Sequence, residues 1–363
     1  MAGQVKFGLA EAVVLLTMSN MARIFMTFPR SLVELAGPAA WLTPLPGLLL
    51  ALLQTFFIWL LLKPHPGKTI VDITGDALGQ VAGTLVNILY IVFFLSVGIT
   101  FTRIFSEAMI IAALPRTPVS VVSIGFIITA MLGAYVGVEA LARSARVTYP
   151  FVLGGIVLLL ASLYPLMNIN NIFPLLGIGP YQVFVQGGLF SGVISEVLVA
   201  AVIINSFASG KLYAPAVARG MLMAFAYLTI LELAFVLVIH WKAASEYTLP
   251  FYKLSGLIYL GRFFQRIEAI FIIIWGYIGM IKISIILYSA SVALAGTLKL
   301  KNYRPFIWPL GLIVFIASLL PPDMPSAVIL DAEYLRVYGW IPTFILPVVV
   351  LAVDRFRRGR REQ

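Results

Sequence analysis

The sequence predicts an all-α polytopic membrane protein with ten transmembrane helices. The first observation is composition: 61% of the 363 residues are hydrophobic and 11% are charged, a balance that soluble domains do not carry. The second is a series of unbroken apolar runs of about 20 residues, the length that crosses a bilayer. A β-barrel would show short alternating segments instead. The third is that two of these runs, the first and the sixth, are interrupted by polar residues and glycines.

Composition also excludes several classes of function. The chain has no cysteine, which excludes disulfides, iron–sulfur clusters and thiolate metal sites. His65 and His240 have no ligand-like spacing, and no phosphate-binding loop or Ser–His–Asp set is present. We therefore expect no enzyme activity, no metal and no cofactor. Five arginines fall within residues 355–363, and a basic tail of this kind meets membrane lipid rather than nucleic acid.

The ten predicted spans form a single transmembrane domain, residues 1–363. They cover residues 9–29, 39–62, 83–113, 118–138, 147–164, 187–207, 214–240, 266–296, 305–321 and 338–354. We expect a first repeat over about 9–164, a second over about 187–354, and a basic tail at 355–363. An even number of spans places both termini on one side. The segments on that side carry fifteen lysines and arginines and the opposite ones seven, so the positive-inside rule predicts cytoplasmic termini.

Spans one and six are poor continuous helices. Residues 17–23 include serine, asparagine and arginine, which compete for backbone hydrogen bonds or add charge. Residues 187–196 include three glycines and end in Ser-Glu. Broken helices at matching places in two five-span halves are typical of inverted-repeat transporters, where they face a ligand at the membrane midplane. The alternative is that glycine and serine simply allow close helix packing.

Lys282 lies near the middle of span eight, where an ammonium costs about 2.5–3.5 kcal/mol. A carboxylate, a water-filled cavity or deprotonation could compensate it; the alternative is a side chain that reaches the interface. Glu196 lies at a similar depth in span six. We therefore expect a Lys282–Glu196 pair or a shared water network, although burying a pair still costs desolvation.

Other charges within the predicted spans also need partners. Arg103 and Glu107 are four residues apart on span three, so we expect them to pair with each other. Arg23, beside the interruption of span one, is a candidate for binding a ligand carboxylate. The alternative is that Arg23 pairs with Glu107 or Glu232.

Four spans supply the predicted ligand-binding residues, around a midplane cavity between spans one, three, six and eight. These residues are Ser19, Asn20, Ala22 and Arg23, with Tyr90, Phe94 and Gly98 as a wall, Gly188, Ser191, Gly192 and Glu196 from span six, and Lys282 and Ser284 from span eight.

Several motifs resemble the spore germination receptor B-subunit permeases over essentially the full length of the chain. The most specific is residues 261–275, GRFFQRIEAIFIIIW, followed by Lys-Ile-Ser at 282–284. Phe-Pro-Arg at 28–30 and KNYRPFIWPLG at 301–311 support it. One departure is at residues 19–23, where the family usually carries glycines and this chain has Ser-Asn-Met-Ala-Arg; it points to a different germinant.

The resemblance implies a LeuT-like fold of the amino acid/polyamine/organocation type, with two inverted five-helix repeats. It also implies a multi-pass subunit of the endospore inner membrane, assembled with a larger A subunit and a lipoprotein C subunit. In that family the B subunit is taken to recognise a small germinant, often an amino acid.

Three functions stay open at this point. The chain is a germinant sensor that signals to partner subunits, a proton- or sodium-coupled amino-acid permease, or an ion or water conduit gated by partners. A permease requires ligand-dependent flux from the single chain, whereas a sensor requires only binding. A charged Lys282 could substitute for a sodium ion, and a neutral one could relay protons.

Overall fold

The computed structural model describes residues 6–258 and 268–360, and within these ranges the regular elements are helical, with no strand. The predicted fold class is confirmed. In the described part of the chain, eight helices are long and apolar enough to cross a membrane. The bent pair Leu9–Phe25 and Phe28–Leu42 supplies the first predicted span, and the shorter helix Arg304–Ser318 lies at the ninth. The start of the eighth predicted span, and residues 261–267 of its motif, lie outside the described residues.

The α-helices are numbered along the chain. They are α1 Leu9–Met21, α2 Phe28–Ala36, α3 Pro44–Leu62, α4 Ile70–Leu78, α5 Gln80–Ala112, α6 Val119–Val136, α7 Val138–Leu163, α8 Gly187–Ser191, α9 Ser195–Val202, α10 Tyr213–Val238, α11 Trp241–Ala244, α12 Pro250–Ser255, α13 Glu268–Thr297, α14 Arg304–Ser318, α15 Met324–Ile329, α16 Arg336–Tyr338 and α17 Leu346–Gly359. Two π-helical segments, Leu330–Leu335 and Ile341–Ile345, lie between α15 and α17.

Single glycines separate consecutive helices at two places. Gly79 ends α4 with φ +85°, and Gly137 ends α6 with φ +111°. A side chain is strained at such φ values, whereas glycine is not. Each glycine therefore turns the chain sharply enough for the next helix to begin with the following residue.

The helix α13 lies at the centre of the bundle. In its apolar window 72% of the residues are buried, against 22% in the span that contains α7. It packs on α1, α5, α6, α7 and α14, and its Trp275 is fully buried beside Phe105. A helix that is apolar all round is typical of such an enclosed position.

Both predicted interruptions are present. The first span is α-helical to Met21, tightens to a 3₁₀ turn over Ala22–Phe25, and then bends by 66° into Phe28–Leu42. The bend follows the polar residues, whereas the sequence predicts it among them. In the sixth span α8 ends at Ser191, the backbone is extended at Ile194, and α9 begins at Ser195. The two-repeat division and the cytoplasmic termini stay predictions.

We expect Gly279→Ala to destabilise the protein. A Cβ at Gly279 would lie 2.5 Å from the Phe105 ring, and that ring is held between Trp275 and Phe126. Overpacking of this kind costs about 1–3 kcal/mol. The matched control is Gly125→Ala in α6, where a Cβ meets nothing within 4 Å and helix propensity favours alanine. Thermal unfolding in detergent should show a lower Tm for the first variant alone; equal Tm values would contradict the packing.

Candidate functional site

A buried carboxylate, Glu196, joins three spans at the two helix breaks. Its Oε1 accepts hydrogen bonds from Ser19 Oγ (2.7 Å) and from Lys282 Nζ. Its Oε2 accepts from Asn20 Nδ2 (3.3 Å) and Ser195 Oγ (3.2 Å). The pair expected between Lys282 and Glu196 is confirmed. With four donors, the carboxylate is saturated by the protein itself.

The ammonium of Lys282 is satisfied where it lies and does not reach an interface. Besides Glu196, its Nζ donates to Ser195 Oγ (2.8 Å) and lies 5.0 Å from the centroid of the Phe101 ring. Lys282 is 3% exposed. A charged pair in hydrocarbon is favourable only when further hydrogen bonds complete its shell, and both partners here have them. The pair thus ties α13 to α9 and to the end of α1.

Protein side chains also satisfy the carbonyls at the break in span six. Ser191 O accepts from Arg23 Nη1 (2.9 Å), Gly192 O from Gln54 Nε2 (2.7 Å) and Val193 O from Arg336 Nη1 (3.5 Å). A helix end that lacks such donors inside a membrane would leave polar groups unpaired at a cost of several kcal/mol each. Three other parts of the chain therefore hold this break open.

Arg23 has unused hydrogen-bond donors at the site. It is 3% exposed, and its guanidinium carbon lies 4.8 Å from the Phe28 ring and 5.0 Å from the Phe225 ring. Nη1 binds Ser191 O, but Nε and Nη2 have no partner among the described residues. Since Arg23 cannot lose its charge, these two donors are free for a ligand.

Neither carboxylate considered as an alternative partner binds Arg23. Glu107 pairs with Arg103 at 2.8 Å, as the i, i+4 spacing predicts, and Arg103 Nη2 also donates to Pro322 O at 2.9 Å. Glu232 is buried, and its Oε1 has no partner within the described ranges. Among the described residues, no carboxylate forms a direct ion pair with Arg23.

A small cavity of about 30 Å³ lies beside these groups. That is room for one or two water molecules. Its polar lining is Asn20, Arg23, Ser195, Glu196, Lys282, Asp331 and Arg336, and its apolar lining is Phe93, Val97, Phe101, Val193 and Leu335. One side of it is therefore charged and the other aromatic and aliphatic.

Two lining residues, Asp331 and Arg336, come from the segment between the ninth and tenth predicted spans. Arg336 Nε donates to Asp331 Oδ2 at 3.0 Å, and the guanidinium lies 5.1 Å from the Phe28 ring. The pair is five residues apart, and such neighbours meet on a π-helix rather than on an α-helix. Their signal in the sequence was two opposite charges next to an apolar span, without the α-helical spacing of four.

Most of the predicted residues of spans one and six lie around the cavity. Asn20, Arg23 and Glu196 line it, with Lys282. Ser19 and Ser191 are one hydrogen bond away, through Glu196 and Arg23. Three further predicted residues do not line the cavity: Ala22 is buried in the 3₁₀ turn, Gly188 packs on Pro46, and Gly192 packs on Leu50 and Trp340.

The predicted wall on span three lies on a different face from the cavity. The residues of α5 that line the cavity are Phe93, Val97 and Phe101. Tyr90 and Phe94 are fully buried elsewhere in the core, and a Cβ at Gly98 would meet Ile286 and Val314. Ser284 binds the carbonyl of Met280 and packs against Gly133, outside the lining. Because the apolar residues of α5 occur on all of its faces, the sequence does not set its rotation.

An all-helical membrane domain with two broken helices around a buried polar centre defines a transporter-type fold. A solved structure of Mhp1, a nucleobase-cation-symport-1 family transporter in a closed conformation with bromovinylhydantoin bound, has the same fold. It aligns with a TM-score of 0.66 and 12% identity over 94% of this chain and 78% of that one.

In the described residues, no group of three or more histidines and carboxylates is placed to hold a metal ion.

The chain belongs to the spore permease family, whose family model, described as "Spore germination protein", matches residues 8–326. Spore germination protein YndE of Bacillus subtilis (strain 168) is 23% identical, covering 97% of each chain. Spore germination protein KB of the same organism is 24% identical over 91% of this chain and 90% of that one. Spore germination protein A2, also from this organism, is 25% identical over 92% and 91%.

Proposed function

We propose that the chain is the germinant-binding membrane subunit of a spore germination receptor. It binds a small molecule, an amino acid, in the cavity beside Arg23 and passes the binding event to partner subunits. The observation that carries this proposal is the pair of unused, buried donors of Arg23 in the cavity wall. A buried donor without a partner costs about 1–3 kcal/mol, so a carboxylate that accepts from both recovers that cost.

Acceptors for an ammonium lie in the same cavity. Asn20 Oδ1 has no partner among the described residues, and the carboxylate of Asp331 is shared only with Arg336. Glu196 is excluded from this role because its oxygens are already occupied. Donors for a carboxylate, acceptors for an ammonium and an apolar wall of phenylalanine and valine together complement an amino acid with an uncharged side chain.

The size of the cavity supports sensing through a change of shape. A space for one or two waters is too small for an amino acid, so the walls must move apart when the ligand enters. A ligand shifts a conformational equilibrium only by binding one state more tightly. The Asp331–Arg336 pair lines the cavity and lies shortly before α17 in the chain, so its displacement would carry the change towards the end of the chain.

Membership of the spore permease family supports the remaining parts of the proposal. These are an A subunit and a lipoprotein C subunit as partners, and a place in the endospore inner membrane. The excess of lysines and arginines in the segments on the side of the termini supports cytoplasmic termini.

A cation-coupled amino-acid permease is the second candidate. The fold shared with a nucleobase-cation symporter favours it. Purified chain in liposomes distinguishes the two: a permease carries labelled ligand inward, and a sensor binds it without flux.

The test is a thermal-shift screen of the purified full chain against the common amino acids, nucleosides and sugars. A ligand that binds only the native state raises stability by about 2.7 kcal/mol at a hundredfold excess over Kd. We expect a shift with one or a few amino acids that is lost in Arg23→Met and kept in Arg304→Met, an exposed arginine. A shift only with nucleosides or sugars would contradict the amino-acid assignment. No shift at all in a folded chain would favour a conduit gated by partners.

We expect binding at this site to be independent of sodium. The Lys282 ammonium already holds α9 against α13 and, through Glu196, the end of α1. This fixed ammonium supplies, between the broken helices, the positive charge that a bound sodium ion would otherwise supply. Titrations in sodium, potassium and choline buffers of equal ionic strength should give the same affinity. An affinity that rises steeply with sodium alone would contradict this role.

A further inference from the structure

A second, larger cavity lies at the end of the membrane domain where the N-terminal segment begins. Its volume is about 630 Å³, within the range of small-molecule sites. Three segments enclose it: the residues before α1, the end of α3 and the connection between α9 and α10. The lining residues are Lys6, Trp59, Leu62, Lys63, His65, Pro66, Gly67, Ile204, Asn205, Phe207, Ser209, Gly210, Lys211 and Tyr213.

Three lysines, one from each segment, converge on this cavity without a carboxylate partner. Within the described ranges, Lys6, Lys63 and Lys211 form no ion pair. Lys63 Nζ lies over the Trp59 ring, 4.8 Å from its centroid. By contrast Lys68, five residues further along, is neutralised by Asp76 at 2.7 Å. The cavity thus carries three uncompensated positive charges.

Nearby acidic residues do not cancel this charge. His65 Nε2 lies 3.2 Å from Asp354 Oδ1, but the same carboxylate pairs with Arg358 at 3.0 Å. Asp354 and Arg358 therefore offset each other behind the cavity wall. Their position also brings the end of α17 to the same end of the bundle as the N-terminal segment.

The floor of the cavity is apolar. Leu62, Ile204 and Phe207 are buried there, and Trp59 stands beside them. Tryptophan followed by lysine at the end of an apolar span is typical of the headgroup level of a bilayer. A ligand of this site therefore has negative charge on one part and hydrocarbon on another, at the depth where phospholipids lie.

We propose that this cavity is a binding site for the phosphate headgroup of an anionic phospholipid. Basic pockets between transmembrane helices bind such headgroups. The phosphate is held by Lys6, Lys63 and Lys211, and the part of the acyl chain nearest the headgroup contacts the apolar floor. The site is separate from the Arg23 cavity, and its existence does not depend on the amino-acid ligand proposed there.

Occupation of the site would fasten the ends of both broken spans. Phe7 N donates to Ser206 O (3.2 Å), and Ala208 N donates to Phe7 O (2.9 Å). The Phe7 and Phe207 rings pack edge to face, 5.2 Å apart. The start of span one is thus already paired with the chain that leaves span six. A phosphate that bridges Lys6 and Lys211 strengthens this junction, so a stabilising effect on the whole chain is expected.

The experiment is thermal unfolding of the purified full chain in neutral detergent with added dioleoylphosphatidylglycerol, dioleoylphosphatidylcholine, glycerol phosphate or inorganic phosphate. We expect a saturable rise in Tm with phosphatidylglycerol only. In K63Q/K211Q the half-saturating lipid concentration should rise by roughly 30-fold, the loss expected for two lysines near an anionic headgroup. K63R/K211R keeps both charges and should behave as the unaltered chain. The matched control is K299Q/K301Q, which removes two exposed lysines elsewhere.

Three results would overturn the proposal. They are equal stabilisation by phosphatidylcholine, an equal loss in K299Q/K301Q, or full stabilisation by glycerol phosphate or inorganic phosphate alone. The last would make the cavity a site for a soluble phosphate anion. Should K63Q/K211Q not fold, the single variants K63Q and K211Q serve instead, each with an expected shift of roughly fivefold; no shift in either would equally overturn it.

Discussion

Replacing Lys282 by methionine is expected to lower the free energy of unfolding by about 3–5 kcal/mol, the cost of leaving one member of a buried ion pair alone. The variant removes the ammonium but leaves the Glu196 carboxylate among Ser19, Asn20 and Ser195, at 1% exposure. Hydroxyl and amide donors do not balance a full negative charge in the hydrocarbon region. The loss is measured as the fall in Tm, and in denaturant midpoint, of the purified chain.

The double variant K282M/E196Q tests whether this loss comes from the unpaired charge. Glutamine still accepts hydrogen bonds from the serines and leaves no charge, so the double variant should regain much of the stability lost in K282M. Replacing a whole buried pair by uncharged groups is often close to neutral. The control is K299M, which replaces an exposed lysine just beyond the end of α13 and is expected to lie within about 0.5 kcal/mol of the unaltered chain. Equal losses in K282M and K299M, or additive losses in the double variant, would contradict the pair.

The Lys282–Glu196 pair was predictable because depth along a transmembrane helix follows from residue counting. Each residue adds about 1.5 Å, so two charges near the middle of two spans lie at one level. A buried charge in hydrocarbon also has few ways to be compensated. The i, i+4 pair of Arg103 and Glu107 was predictable for a similar reason, because helical geometry alone places the two side chains together.

Rotation about a helix axis was not predictable in the same way. Apolar residues occur on all faces of α5, so the sequence offers no reason to turn Phe93 rather than Phe94 towards the cavity. The structure places Phe93 in the lining and Phe94 in the core. The choice is made by the neighbours of α5, including the packing of Gly98 against Ile286 and Val314.

Groups that serve an interrupted backbone were also beyond the sequence. No sequence pattern marks Gln54 or Arg336, yet these residues donate hydrogen bonds to two carbonyls of the break in span six. Their role depends on which helices meet that break, and this is a tertiary property. Asp331 and Arg336 were missed for a further reason. The chain there is π-helical, so side chains five positions apart become neighbours, and this is not the spacing of three or four that indicates an α-helix.

Replacing Arg23 by methionine is expected to weaken binding of the amino acid found in the screen by at least about 30-fold, since truncating a buried charged partner costs about 2 kcal/mol or more. Arg23→Lys keeps the charge but loses the fork of parallel donors, so its affinity for the amino acid should lie between that of the unaltered chain and that of Arg23→Met. Isothermal titration of each folded variant measures the change. Arg304→Met, which alters an exposed arginine, should bind as the unaltered chain does.

The carboxamide of the same amino acid shows whether Arg23 contacts the carboxylate itself. The unaltered chain should prefer the acid over the amide strongly, because only a carboxylate offers two charged acceptors to the free Nε and Nη2. In Arg23→Met this preference should fall to near unity, while any contact of the ammonium with Asn20 Oδ1 is kept. A preference that survives in Arg23→Met would place the carboxylate elsewhere in the cavity, with Arg336 the next donor in its wall. An unaltered affinity in that variant would remove Arg23 from the site altogether and leave its two buried donors as an unexplained cost of the fold.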